Sequence, residues 1–136
     1  MRLSRIDAPE LNQKYGPEAA DHLASLILGQ IVDVESHGKD RYGRSLDVVY
    51  RQLNPTNRID INLQMVKDGY AWHYSHFDHT PAYSNAQELA RAQKIGLWHD
   101  PNPVNPYNHR QLKTLPAAYQ EYHKRSVKIP EKFTSF

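Results

Sequence analysis

Three prolines in the run Asp100-Pro101-Asn102-Pro103-Val104-Asn105-Pro106 limit what this chain can build. Each fixes φ and lacks a backbone donor, so the run is expected to be an extended surface segment, neither helix nor central strand. Apolar periodicity stops just before it, at Trp98, and the residues beyond are too polar for a second core. The expected organisation is one globular domain over residues 1–99, followed by a Pro-rich segment and a basic tail over 100–136. A chain of 136 residues is too short for a multidomain enzyme.

Composition narrows the class. A mean hydropathy of −0.79 with 24% charged residues describes a polar chain. The aliphatic run Leu26-Ile27-Leu28 falls far short of the roughly 20 residues that cross a bilayer, and no charged-then-apolar leader precedes it. Neither a membrane span nor a signal peptide is expected, and the compartment stays open. With no cysteine, disulfides and thiolate chemistry are excluded, so a metal would rest on carboxylates, carbonyls or imidazoles. The net charge of +2 is uneven: residues 1–109 hold 11 Lys+Arg against 13 Asp+Glu, and the six basic residues from Arg110 onward face only Glu121 and Glu131. Such a tail either contacts nucleic-acid phosphates or serves as solubilising surface.

Local signals place the elements. Gly16-Pro17 opens a helix over about 17–28, with Glu18 in its first turn, an apolar stripe of Leu23, Leu26 and Ile27, and Gly29 as terminator. Ile31, Val32 and Val34 read as one strand and Leu46, Val48 and Tyr50 as a second, joined by the polar segment 37–43. A short helix is expected over about 62–67 before Gly69, and another over about 81–94 before Gly96, with Ala86, Leu89 and Ala90 inward. Trp72 and Trp98 follow these two stops and are expected in the core. Residues 117–124 have enough apolar character for one or two amphipathic turns.

Two segments carry chemistry. The opening Arg2-Leu3-Ser4-Arg5-Ile6-Asp7-Ala8-Pro9-Glu10 ends a strand in a turn bearing two carboxylates three residues apart, which can converge on one point or simply lead into a helix. In Asp40-Arg41-Tyr42-Gly43-Arg44 an arginine follows a glycine at the start of a strand, where a guanidinium can be held against a phosphate. A third segment, from His73 to His79, repeats His73, His76 and His79 at every third residue; on a helix this spacing would gather a zinc ligand set, and in a loop the imidazoles are solvated. His22, His37, His99, His109 and His123 show no partner in the sequence.

These segments, together with Tyr15-Gly16-Pro17-Glu18-Ala19, Val66-Lys67-Asp68-Gly69-Tyr70-Ala71 and Gly96-Leu97-Trp98, resemble the staphylococcal nuclease (thermonuclease) family, in order and at suitable spacing up to about Trp98. The resemblance implies an α+β, mainly β, OB-fold: a five-stranded barrel with three helices. It also implies calcium-dependent hydrolysis of DNA and RNA phosphodiesters. Matched by position, Arg2 and Arg44 are similar to the arginines that grip the scissile phosphate, Asp7 to a calcium ligand, and Ala8 to a residue contacting the ion through its backbone carbonyl. Glu10 resembles the carboxylate that orients or deprotonates the attacking water, and Tyr42 and Tyr74 resemble tyrosines beside the nucleotide. The family's first two strands carry an Asp-Gly-Asp-Thr signature with a second metal-binding Asp, and this sequence has no such motif. One weakly held Ca²⁺ is therefore expected, with a barrel lacking those two strands. A sheet opened in this way exposes an edge and an apolar face, which a homo-oligomer would cover. The reading from a different class is a non-catalytic OB-type module that binds nucleic acid or protein.

Overall fold

The computed structural model describes residues 2–112; the turns expected over 117–124 and the basic residues beyond 112 lie outside the described residues. The central strand is β4 (Ser45–Asn54). Along one edge it pairs antiparallel with β3 (Val32–Lys39). Along the other it pairs parallel with β1 (Arg2–Leu3) near its start and antiparallel with β5 (Asn57–Asp60) near its end. A separate antiparallel ribbon joins β2 (Ile6–Asp7) to β6 (Trp72–His73). The single strand expected over 2–6 is broken, because Arg5 sits in the left-handed region at φ 70° and redirects Ile6 from the sheet into the ribbon.

Among the described residues the α+β content is as expected, and the sheet does not close into a barrel. On the uncovered side Val34 is 48% exposed, and Ile31 at the entry to β3 is 76% exposed. Only β4 is covered well enough to bury three successive residues, Asp47, Val48 and Val49.

The helices follow their local signals closely. Helix α1 (Gly16–Ile27) begins with Pro17 at its start, and α2 (Ile61–Lys67) is capped by Asp60, whose carboxylate accepts the Leu63 N–H at 2.9 Å. Helix α3 (Pro81–Gln93) buries Tyr83, Ala86 and Ala90, spaced along one face. Leu89, expected inward, is 60% exposed. The terminator of α3 is Lys94 at φ 56°, not Gly96, which instead opens a short 3-10 turn over Gly96–His99. The main core gathers Ile6, Ala19, Met65, Val66, Ala71, Tyr83 and Ala86. Beside it Ala90, Leu97 and Trp98 form a smaller cluster, and Trp72 packs on Trp98 with ring centres 4.4 Å apart, as expected for both tryptophans.

The Pro-rich run corrects one expectation. Residues 100–105 form neither helix nor strand, with bends at 100–102, but Pro106 opens a fourth helix, α4 (Pro106–Leu112). Proline at a first helical position forgoes only an N–H that has no intrahelical acceptor, and the Asn105 side chain accepts the Tyr107 N–H at 3.0 Å.

Asn62, at the start of α2, is fully buried and joins three parts of the fold. Its amide nitrogen donates to the Ser4 and Asp47 carbonyls, each at 2.9 Å, and its oxygen accepts the Val49 N–H at 3.2 Å. Asn62→Ala removes this partner from the Ser4 carbonyl and the Val49 N–H, while the Asp47 carbonyl keeps the Ser4 N–H at 2.8 Å; the cost is about 1–3 kcal/mol for each group that stays dry. The expected loss of stability is about 3 kcal/mol, measured as a fall in the urea midpoint at unchanged slope.

Candidate active site

Asp7 lies on β2, and its pairing with Trp72 in β6 fixes the direction of its side chain. The carboxylate is 2% exposed. Ala8 and a buried Pro9 follow, and the chain turns at Glu10, whose N–H donates to the Gln13 side chain at 3.1 Å while its carbonyl accepts the Gln13 N–H at 2.8 Å. The turn is held from behind by Gly16. A Cβ at that position would collide with the Glu10 carbonyl, so the first residue of α1 must be glycine for Glu10 to sit where it does.

The ribbon has its own support. His73 is buried in β6, and its Nε2 lies 2.8 Å from Asp78, which also accepts from the Thr80 hydroxyl at 2.9 Å and faces Arg5 at 3.7 Å. Burial works to raise the Asp78 pKa, but the hydrogen bonds from His73 and Thr80 outweigh it and hold the carboxyl below its ordinary value of 3.8.

Around Asp7 and Glu10 the structure assembles two guanidinium groups. Arg2 lies 3.5 Å from Asp7 Oδ1 and 5.2 Å from the centre of the Tyr74 ring. Arg110, on α4, forks onto Asp7 with Nη2 at 2.6 Å from Oδ2 and Nη1 at 3.0 Å from Oδ1, and Nη1 also reaches Glu10 at 3.2 Å. Burial works against its charge, but Asp7 and then Glu10 more than offset this, and the guanidinium titrates above its ordinary value. Tyr107, also on α4, stacks on His76 with ring centres 3.9 Å apart and approaches Tyr74 at 6.4 Å.

The structure thus brings Arg2, Asp7, Glu10 and Tyr74 into one cluster, with Ala8 on the same turn. Arg44 and Tyr42 pair with neither carboxylate, although Arg44 lies two residues before Leu46, which pairs with Arg2 in the sheet. Arg44 is half exposed and pairs with Asp40 at 2.7 Å, and Asp40 also accepts the N–H groups of Tyr42 and Arg44. The Tyr42 ring is 69% exposed and lies under Arg41 and Arg44. The three histidines of the zinc reading do not converge: His73 is committed to Asp78 and His76 to Tyr107. His22, which showed no partner in the sequence, pairs with Asp68 at 2.7 Å.

The sequence reading missed Arg110, which it counted with the tail. The usable signal was Asn105-Pro106, an N-cap residue followed by a proline at a first helical position, which marks a helix start immediately before this arginine.

Asp7, Glu10 and the Ala8 carbonyl are oxygen donors of the kind a hard divalent cation prefers. Their arrangement does not fit one. Both Asp7 oxygens are taken by the Arg110 fork, and among the described residues no three carboxylate or imidazole groups converge as a ligand set.

Comparison with known proteins places the chain in one family. Residues 1–100 match the family described as staphylococcal nuclease homologue. The chain is 43% identical over 119 residues to an uncharacterized endonuclease of Haemophilus influenzae, covering 88% of this chain and 64% of that protein. It is 41% identical over 118 residues to a micrococcal nuclease of Shigella flexneri, covering 82% and 67% respectively. A staphylococcal-like nuclease of Arabidopsis thaliana is 35% identical over 113 residues, of which this chain spans a third, 33%. The chain belongs to the staphylococcal nuclease homologue family.

The Asp78 contacts yield a pH-dependent expectation. A carboxyl depressed in the folded state contributes stability that is present above its unfolded value, near 3.8, and is lost as pH falls through the lower folded value. Asp78→Asn should lower the melting temperature at pH 7, and the gap from the parent should narrow below about pH 3.8. Melts recorded across pH 2–7 check this.

Proposed function

We propose that the chain is a nuclease that hydrolyses phosphodiester bonds in DNA and RNA. The observation that carries this reading is the convergence of Arg2, Asp7 and Glu10 on one rim, in a chain whose relatives are named nucleases. Glu10 is the general base. Its side chain is 34% exposed, so it can meet water, while Asp7 is sealed behind it. A water held by Glu10 gives up a proton to the carboxylate as its oxygen bonds to phosphorus; the bond to the leaving sugar oxygen breaks in line, and that oxygen takes a proton from solvent water. Negative charge grows on the non-bridging oxygens, where Arg2 donates hydrogen bonds that strengthen in the transition state. In this reading Arg44, steadied by Asp40, also addresses phosphate, and the Tyr42 and Tyr74 rings lie along the nucleotide.

Calcium dependence belongs to the same proposal: Asp7, Ala8 and Glu10 supply oxygen donors of the right kind, and an ion could reach them only once Arg110 leaves Asp7. So does OB-type closure of the sheet, with a homo-oligomer covering the open side at Ile31 and Val34. Among the described residues no helix is long and apolar enough to cross a membrane.

A non-catalytic module that binds nucleic acid or protein is the second reading, favoured by the neutralisation of both carboxylates by Arg110. Glu10→Gln separates the two. It should cut cleavage of a labelled oligonucleotide by about 100-fold or more with an unchanged melting curve. Binding of the oligonucleotide without cleavage by the parent would support the module instead.

A further inference from the structure

Asp7 and Glu10 already hold a cation, and it is part of the chain. We propose that Arg110 is a tethered competitor for the position a divalent cation would take on these carboxylates, so that α4 forms an autoinhibitory latch. The proposal rests on the reading above only for its consequence in cleavage.

The first argument is occupancy. A guanidinium bound through two N–H groups uses the lone pairs of both Asp7 oxygens, at 2.6 and 3.0 Å, and bridges to Glu10. A hard cation coordinates the same oxygens at about 2.3–2.6 Å, so it would have to enter against the charge and bulk of the docked Arg110 fork, with Arg2 also near Asp7 Oδ1 at 3.5 Å. The second is anchoring. Gln13 Nε2 donates to the Val104 carbonyl at 2.6 Å, Lys14 pairs with Asp100 at 3.2 Å, and Pro106 is fully buried. Gln13 also holds the Glu10 backbone, so the turn that presents one carboxylate fixes the segment that delivers Arg110. The third is release. The Arg110 side chain is 33% exposed, and none of its partners belongs to the two apolar clusters apart from their neighbouring turn, so the guanidinium can leave without opening the core. Charge supplies a reason for it to do so: a nucleic-acid phosphate offers the same planar fork an alternative anionic partner.

The test is calorimetric titration of the purified chain with Ca²⁺ and no nucleic acid, comparing the parent with Arg110→Gln and Arg110→Lys. Arg110→Gln should bind the ion about tenfold more tightly or better, equivalent to about 1.4 kcal/mol. Arg110→Lys keeps a charge but not the fork, and should fall between the two. An Arg110→Gln affinity equal to or weaker than the parent's overturns the proposal, because Arg110 would then not compete. Should Arg110→Gln melt without cooperativity, the lysine variant decides: tighter binding than the parent supports the latch, and equal or weaker binding overturns it. A parallel cleavage assay keeps the two readings apart. Tighter ion binding with no cleavage by any variant removes the nuclease reading and leaves the latch, whereas Glu10-dependent cleavage with unchanged ion binding does the reverse.

Discussion

One buried amide holds the architecture together. Asn62, in the first turn of α2, reaches the turn after β1 and two residues of β4, so one side chain joins the Ser4 N–H bond to the Asp47 carbonyl in setting how the opening segment lies on the sheet. Helix packing alone would not do this, because β1 and β2 are only two residues each and have little apolar surface to lock their register. The amide supplies what the short strands lack. Once Ser4 is fixed, the left-handed Arg5 can turn the chain, and Asp7 arrives at the rim rather than inside the sheet.

The rim is then built by two neighbouring supports with different chemistry. On the ribbon side, polar contacts among His73, Asp78 and Thr80 hold β6, and β6 holds Asp7. On the other side the support is steric: Gly16 lets α1 press against the Glu10 carbonyl. A side-chain network and a missing side chain fix two carboxylates that lie three residues apart. Tyr83 links these regions to α2, since its hydroxyl donates to the helix-capping Asp60 at 2.6 Å while its ring lies under Arg5.

What could be read from the sequence follows the range of the interactions. Helices α1, α2 and α3 were legible because capping residues, proline starts and apolar spacing are local, and their ends shifted by only a residue or two. Strands β5 and β6 were not read as strands: four and two residues are too few to show alternation, and they form because β4 and β2 present edges to them. Leu89 misled because its spacing from Ala86 suits a helix face, yet the buried face of α3 is set by Tyr83. In the site, the run from Arg2 to Glu10 marked the two carboxylates, and the structure sets the Tyr74 ring beside Arg2. Arg110 lay beyond such reasoning, since it meets Asp7 across 103 residues of sequence.

The hydrogen bond from Gln13 to the Val104 carbonyl therefore does more than tidy a proline-rich stretch. It shortens the free run of chain before Arg110 and so raises the local concentration at which that guanidinium confronts Asp7. Short tethers give effective concentrations on the order of millimolar, whatever the concentration of the protein itself. For the proposed latch, the strength of the rival an outside cation would meet is thus a matter of tether length, and substitutions between residues 104 and 110 would tune the threshold of the site while leaving every atom of Asp7 and Glu10 unchanged.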